Sequence, residues 1–183
     1  MSVKIKFPLT ATWLDYPDNH SIAVSVYFYG CDFDCPDCHN PELRVIPPDA
    51  HEYFCDLLSV YDQIVRACDK FQTDKVVLCG GDPLADCNIE FTKELLKRLN
   101  SFSVCLYTGY GIERFENSIY NTTDCVKFIK TGTFDKTQKL NTNKTDDMMI
   151  FASKNQELYN ESLKLLSKDG IYYFNKQERN KHV

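Results

Sequence analysis

Three thiols, Cys31, Cys35 and Cys38, fall within a single short stretch in the spacing C-x3-C-x2-C. A loop that short lets three thiolates converge on one point. Thiolates are ligands for zinc and for iron–sulfur clusters. Four of them would close a tetrahedral zinc or a conventional cluster. Three on a cubic [4Fe–4S] cluster leave one iron open, and an open coordination position separates a catalytic metal centre from a structural one. Cys31, Cys35, Cys38 and His39 are the alternative set for a structural zinc, although neighbouring side chains such as Cys38 and His39 diverge.

A second group is Gly80-Gly81-Asp82-Pro83. Two glycines at a strand end leave backbone amides and carbonyls unshielded, so a ligand can come close. An ammonium group would meet carbonyl oxygens and the Asp82 carboxylate there. The same four residues are also an ordinary turn. Their weight comes from their place, on the strand that follows the cysteine loop and its helix.

The elements that must position these groups alternate along the chain. Val3 to Leu9 alternates apolar and charged residues, as a short strand or edge lead-in does. Ile22 to Tyr29 is almost continuously apolar, β-branched or aromatic, the pattern of a strand buried on both faces. It ends at Gly30, so the cysteine loop hangs from its C-terminal end. Pro41, Pro47 and Pro48 then keep the chain extended. Leu57, Leu58, Tyr61, Ile64, Val65, Cys68 and Phe71 recur at helical spacing. Val76 to Cys79 reads as the next strand. Asp86 or Asn88 caps a helix whose inward face is Phe91, Leu95, Leu96 and Leu99. Ser103 to Tyr107 is a third core strand, Ile112 to Tyr120 a short helix and Val126 to Ile129 a fourth strand. Lys136 to Asp147 reads as a polar flexible loop. Met148 to Ala152 is a further strand, Glu157 to Lys168 a helix stopped by Gly170, and Ile171 to Phe174 a last strand.

Strand, helix, strand, helix, with a glycine closing each core strand, predicts βαβ units and a parallel sheet. Ligands of such sheets bind at the C-terminal strand ends, where Gly30, Gly80, Gly81, Gly109 and Gly132 would lie. The 183 residues are too few for eight βα units, which take about 250. The expectation is therefore an α/β partial (open) βα barrel of about five or six mainly parallel strands. It spans residues 1–183 as one domain, with a frayed tail at about 175–183.

Composition excludes some functions. Hydrophobic residues make up 43% and charged ones 26%, ordinary for a globular protein. A net charge of -5 argues against a general nucleic-acid or membrane-surface binder. No apolar run is long enough for a bilayer span, and the start is not a secretory signal. Nine cysteines without such a signal point to a reducing, cytoplasmic setting. The six outside the loop, at 55, 68, 79, 87, 105 and 125, read mostly as small buried hydrophobes.

With the residues in view, the chain resembles the radical S-adenosylmethionine (SAM) superfamily. More narrowly, it is similar to the anaerobic ribonucleoside-triphosphate reductase activating proteins. The residues that carry the resemblance are Asp15-Tyr16-Pro17, Gly30-Cys31, Cys38-His39-Asn40-Pro41-Glu42-Leu43, Gly80-Gly81-Asp82-Pro83-Leu84, Tyr107-Thr108-Gly109-Tyr110 and Ser153-Lys154-Asn155-Gln156. Asp18 stands where the family has glycine, Asp37 where many members have an aromatic residue, and Phe151-Ala152 where Arg-Gly is common. The resemblance implies that Cys31, Cys35 and Cys38 hold a [4Fe–4S] cluster and act in catalysis. It also implies that SAM chelates the open iron and lies against Asp37, Cys38, His39, Gly80, Gly81 and Asp82. Reductive cleavage of SAM would then yield a radical that abstracts hydrogen from a glycine of the partner. The implied partners are the large subunit of anaerobic ribonucleoside-triphosphate reductase and a one-electron donor such as reduced flavodoxin.

Three alternatives remain open. One is an activase of another glycyl-radical enzyme, of the pyruvate formate-lyase type. Another is a small-molecule radical SAM enzyme such as a 7-carboxy-7-deazaguanine synthase. The third, non-enzymatic, is an electron-transfer or zinc-binding module. The cysteine spacing generates a direct prediction. Anaerobic reconstitution loads about four irons per chain, measured by iron and sulfide analysis. Cys35→Ala prevents loading of a complete cluster.

Overall fold

A computed structural model describes residues 2–18, 21–46, 54–142 and 147–174. Its centre is four parallel strands: β2 (Ala23–Phe28), β4 (Lys75–Gly80), β5 (Ser103–Tyr107) and β6 (Val126–Thr131). Beyond β2 lie β1 (Ser2–Thr12) and β3 (Phe54–Asp56), and beyond β6 lies β8 (Glu157–Asn160), each joined antiparallel. The order is β3-β1-β2-β4-β5-β6-β8. The expected five or six mainly parallel strands are thus seven in a mixed α/β sheet, with a parallel centre and antiparallel flanks. A separate antiparallel pair is formed by β7 (Met148–Ile150) and β9 (Ile171–Tyr173).

Side chains alternate between the faces of a strand, and here the two faces have different tasks. Val24, Val26 and Phe28 of β2, Val76 and Leu78 of β4, Val104 and Leu106 of β5, and Ile129 of β6 form one layer. Helices α1 (Leu57–Phe71), α2 (Ile89–Arg98) and α3 (Ile112–Ser118) cover it with Val60, Ile64 and Cys68, then Phe91, Leu95 and Leu96, then Phe115. The periodicity predicted these helices because each has an apolar stripe on one side only. Asp56 caps α1 by accepting from the Leu58 and Ser59 amides at 2.9 and 3.0 Å. The opposite face carries Ala23, Tyr27, Val77, Cys79, Cys105, Tyr107 and Phe128, with Tyr16 laid across them. With all three helices on one side, this second face is left for a site.

The cysteines outside the loop mostly pack as expected. Cys68, Cys79, Cys105 and Cys125 are buried, Cys55 is half-buried and Cys87 is exposed. Burial pushes the Cys68 thiol up to about 12, which keeps it a protonated, inert core group.

One expected element is absent. Glu157 to Lys168 is not a helix. Its first four residues are β8, and Leu158 is fully buried there. The chain then turns at Asn160, whose side-chain oxygen accepts from the Ser162 and Lys164 amides at 3.1 and 2.9 Å. Leu163 takes a φ of 58°, and the Leu166 amide returns to the Leu158 carbonyl at 2.8 Å. The leucine spacing matched a helix, but the open edge of β6 offers backbone partners to the same segment. Asn160 supplies the turn that a helix would not allow. Part of the Lys136–Asp147 stretch is also more ordered than expected. Lys136–Gln138 is a 3-10 turn capped by Asp135, which accepts from the Thr137 amide at 2.9 Å. Pro47, Pro48, the remainder of that loop from 143 to 146, and the tail from 175 lie outside the described residues.

The turn gives a test with opposite signs. In a helix, Asn160→Ala would stabilise by about 0.5 kcal/mol. In the turn seen here it removes the acceptor of two amides and destabilises by about 1 kcal/mol, read as a lower melting temperature.

Candidate functional site

The cysteine loop is a closed excursion. It leaves β2 at Tyr29 and returns at Leu43, where the Gly30 amide donates to the Leu43 carbonyl at 2.8 Å and the Cys31 amide to the Arg44 carbonyl at 3.1 Å. Leu43 is fully buried and anchors the return, and Arg44 pairs with Asp34 within the loop. Cys31, Cys35 and Cys38 are all partly exposed. They face a cavity of about 630 Å³ on the helix-free side of the sheet. Such a volume suits a cofactor or small ligand.

All the residues singled out in the sequence line this cavity: the three cysteines with Asp37 and His39, and Gly80, Gly81 and Asp82. Their local roles differ. Asp37 sits in the left-handed region, φ 57°, which aspartate tolerates. Its carboxylate lies 2.9 Å from Lys136 Nζ and is held below its usual pKa by that contact. It therefore joins the cysteine loop to the segment after β6. His39 is exposed on the cavity lip and makes no hydrogen bond to a described residue.

The glycine pair is demanded first by the protein itself. Gly80 has a φ of +105°, and a Cβ there would lie 2.6 Å from the Phe28 nitrogen. A Cβ on Gly81 would lie 2.3 Å from the Gly30 oxygen and 2.9 Å from the Leu43 oxygen. The space read as room for a ligand is thus partly filled by the backbone of the cysteine loop. The Gly81 amide donates to the Phe28 carbonyl and the Asp82 amide to the Gly30 carbonyl, both at 2.8 Å.

Asp82 is 1% exposed and accepts three hydrogen bonds. Leu84 N donates to Oδ1 at 2.8 Å, and Thr108 Oγ1 and Gly109 N donate to Oδ2 at 3.0 and 2.8 Å. Burial pushes its carboxyl up to about 6, against the pull of these donors. The sequence reading gave this carboxylate to a ligand's ammonium. In the structure it is chiefly a clamp between the ends of β4 and β5. Gly-Gly-Asp-Pro and Tyr-Thr-Gly-Tyr are therefore two halves of one hydrogen-bonded unit. Tyr110 extends it by donating to Asp32 of the cysteine loop, and its ring meets Phe33 at 4.7 Å.

Three residues of this site were given no site role of their own by the sequence reading. Asn88 makes no cap to α2. Its Nδ2 instead donates to the carbonyls of Tyr29 and Asp82 at 2.9 Å and approaches that of Gly30 at 3.3 Å. It ties the cysteine loop to the glycine motif. Lys130 of β6 is half-buried in the cavity wall, with Nζ 5.7 Å from the Tyr107 ring centre and 5.9 Å from that of Phe151. Its Nζ approaches the Gly132 carbonyl at 3.4 Å, and burial lowers its pKa to about 8. The third contributor is Gln156, noticed only as part of a motif. It donates to the Gly132 carbonyl at 3.1 Å and accepts from the Ala152 and Ser153 amides at 3.0 and 3.3 Å. With Asn155, which donates to the Thr133 carbonyl at 2.9 Å, it holds the far wall in place. An amide mid-segment carries no distinctive pattern, and a lone lysine none at all.

Among the described residues, no three His, Cys, Asp or Glu side chains gather as a site for a single metal ion. A cubane asks for something else. Each thiolate binds its own iron, so the sulfurs stand apart around the cluster. Three partly exposed thiols on one closed loop beside a roomy cavity fit that requirement better than they fit a four-ligand zinc. Burial pushes the Cys31 thiol up to about 11, with Asp82 and the other two cysteines adding to it, and iron would counter this by binding the thiolate.

Family comparison agrees with that chemistry: the model of the 4Fe–4S single cluster domain matches residues 20–159. The chain belongs to that family. It is a 4Fe–4S cluster-binding domain, of a kind found in radical SAM-type proteins. The match runs from just before β2 into β8 and so takes in the cysteine loop and most of the cavity walls. A comparison with characterised proteins finds no match.

The Asn88 contacts predict a local effect. Asn88→Ala leaves the Tyr29 and Asp82 carbonyls without this donor and destabilises by about 1–3 kcal/mol. Amide exchange at Gly30 and Cys31 speeds up before that of the β4 and β5 core, which hydrogen-exchange mass spectrometry resolves.

Proposed function

We propose that this protein is a radical SAM activase that places a glycyl radical on anaerobic ribonucleoside-triphosphate reductase. The observation that carries the reading is the shared cavity. One wall holds a three-cysteine loop with no fourth protein ligand in its motif, and the adjoining wall holds the Gly-Gly-Asp strand end and Lys130. Backbone at Gly80 and Gly81 would receive the ammonium of an amino acid, and Lys130 its carboxylate. The open βα barrel expected from the sequence belongs to this reading. Four parallel strands with helices on one face and a cavity on the other are what such a half-barrel requires.

A [4Fe–4S] cluster held by Cys31, Cys35 and Cys38 would supply the single electron that reductive cleavage of SAM requires. The chain's own residues hold and shield. Cys31, Cys35 and Cys38 hold the cluster, and the Asp82–Thr108–Gly109 clamp keeps the two cofactor walls in register. Tyr27, Cys79 and Tyr107 floor the cavity and restrict water. The antiparallel flanks leave the sheet unclosed, which suits a substrate presented as a loop of another protein. Reduced flavodoxin is a donor of the right class.

The deciding experiment mixes reconstituted protein, SAM and dithionite with the large reductase subunit, then with its Gly→Ala form at the radical site. A glycyl doublet by electron paramagnetic resonance appears only with the glycine form. SAM cleavage with turnover of a small carboxylated substrate and no radical on the reductase points instead to the deazaguanine-type chemistry. Within the cavity, Lys130→Met weakens SAM binding about tenfold, roughly 1.4 kcal/mol, in an equilibrium titration, while the melting temperature is kept.

A further inference from the structure

We infer that Trp13 and Leu14 form the ridge on which the glycine-bearing loop of the protein substrate docks. The inference rests on the activase reading and adds the surface that reading requires. Both side chains line the cavity, yet Trp13 is 58% and Leu14 59% exposed. They therefore stand at its mouth.

The turn that carries them is fixed on every side. Thr12 Oγ1 donates to Asp15 Oδ2 at 2.7 Å and accepts from the Leu14 amide at 3.2 Å. Tyr107 donates its hydroxyl to the Asp15 carbonyl at 2.7 Å. Tyr16 is buried and packs edge-on against Phe128 at 5.6 Å, and Asp18 pairs with Lys75. Two large apolar side chains left more than half exposed by a fixed turn add little to the core. Pre-ordering them lowers the cost of binding, and tryptophan is the residue most enriched at interface hot spots.

The occupant follows from the cavity. About 630 Å³ must take the cluster and an S-adenosyl ligand. The room left suits a short stretch of glycine backbone and not a folded protein. The residues flanking that glycine must then rest on the mouth, where Trp13 and Leu14 offer apolar contact. The two acidic groups beside the ridge are already engaged, Asp15 by Thr12 and Asp18 by Lys75. The matching surface is therefore apolar rather than basic.

Trp13 is the single tryptophan of the chain, which gives the test a clean reporter. Protein labelled with 5-fluorotryptophan shows one fluorine resonance from this ridge. It shifts or broadens when unlabelled reductase large subunit is added in the presence of SAM, beyond any effect of SAM alone. A Trp13→Ala/Leu14→Ser variant keeps partner-free SAM cleavage and raises the KM for the reductase at least tenfold. Unchanged KM, or an unmoved resonance while the wild type forms the glycyl radical, overturns the ridge and leaves the activase standing. A resonance that responds only to the protein's own concentration marks a self-association face and also overturns it. SAM cleavage without a glycyl radical on the wild-type pair removes the activase reading, and the ridge with it.

Discussion

A buried carboxylate, Asp82, ties the working parts of this protein together. It accepts from its own turn at Leu84 N and from the next strand end at Thr108 Oγ1 and Gly109 N. A buried acceptor with three donors is costly to remove, because each donor would be left unpaired at about 1–3 kcal/mol. Its backbone amide simultaneously holds the Gly30 carbonyl, at the root of the cysteine loop. The residue that fixes the spacing of β4 and β5 thus also fixes where the cysteine loop begins.

This arrangement explains why two glycines precede Asp82. The cysteine loop must pass within touching distance of the end of β4 to share hydrogen bonds with it. Any side chain at Gly81 would meet the oxygens of Gly30 and Leu43. Close backbone approach serves loop packing first, and the cavity wall that results is made of the same backbone. Asn88 then bridges the seam from the start of α2, using its side chain across the site instead of on the helix that follows it.

The sheet divides labour between its faces. Helices α1 to α3 pack on one face, and the larger cluster of buried apolar residues lies there. The other face is covered by thinner means, the Trp13–Asp18 turn and the β7–β9 pair, and it borders the cavity. Gln156 and Asn155 secure that second covering through backbone carbonyls of the segment after β6. The Ser-Lys-Asn-Gln motif is therefore a wall fastening. No helix among the described residues is long and apolar enough to cross a membrane.

The sequence by itself determined the three-cysteine loop, the four parallel core strands and the three helices. Each of those signals is local: thiol spacing, continuous apolar runs ended by glycine, and a single apolar stripe at helical period. The roles of Asn88 and Lys130 were decided by tertiary structure, because a side chain's partner across a sheet leaves no trace in its neighbours along the chain. The same holds for the partners of Asp82, Thr108 and Gly109, which lie more than twenty residues away. Glu157 to Lys168 shows the limit most plainly. Its leucines fit a helix, yet the unpaired edge of β6 claimed its first four residues as a strand. Competition for backbone hydrogen bonds between distant segments is settled only when the chain has folded.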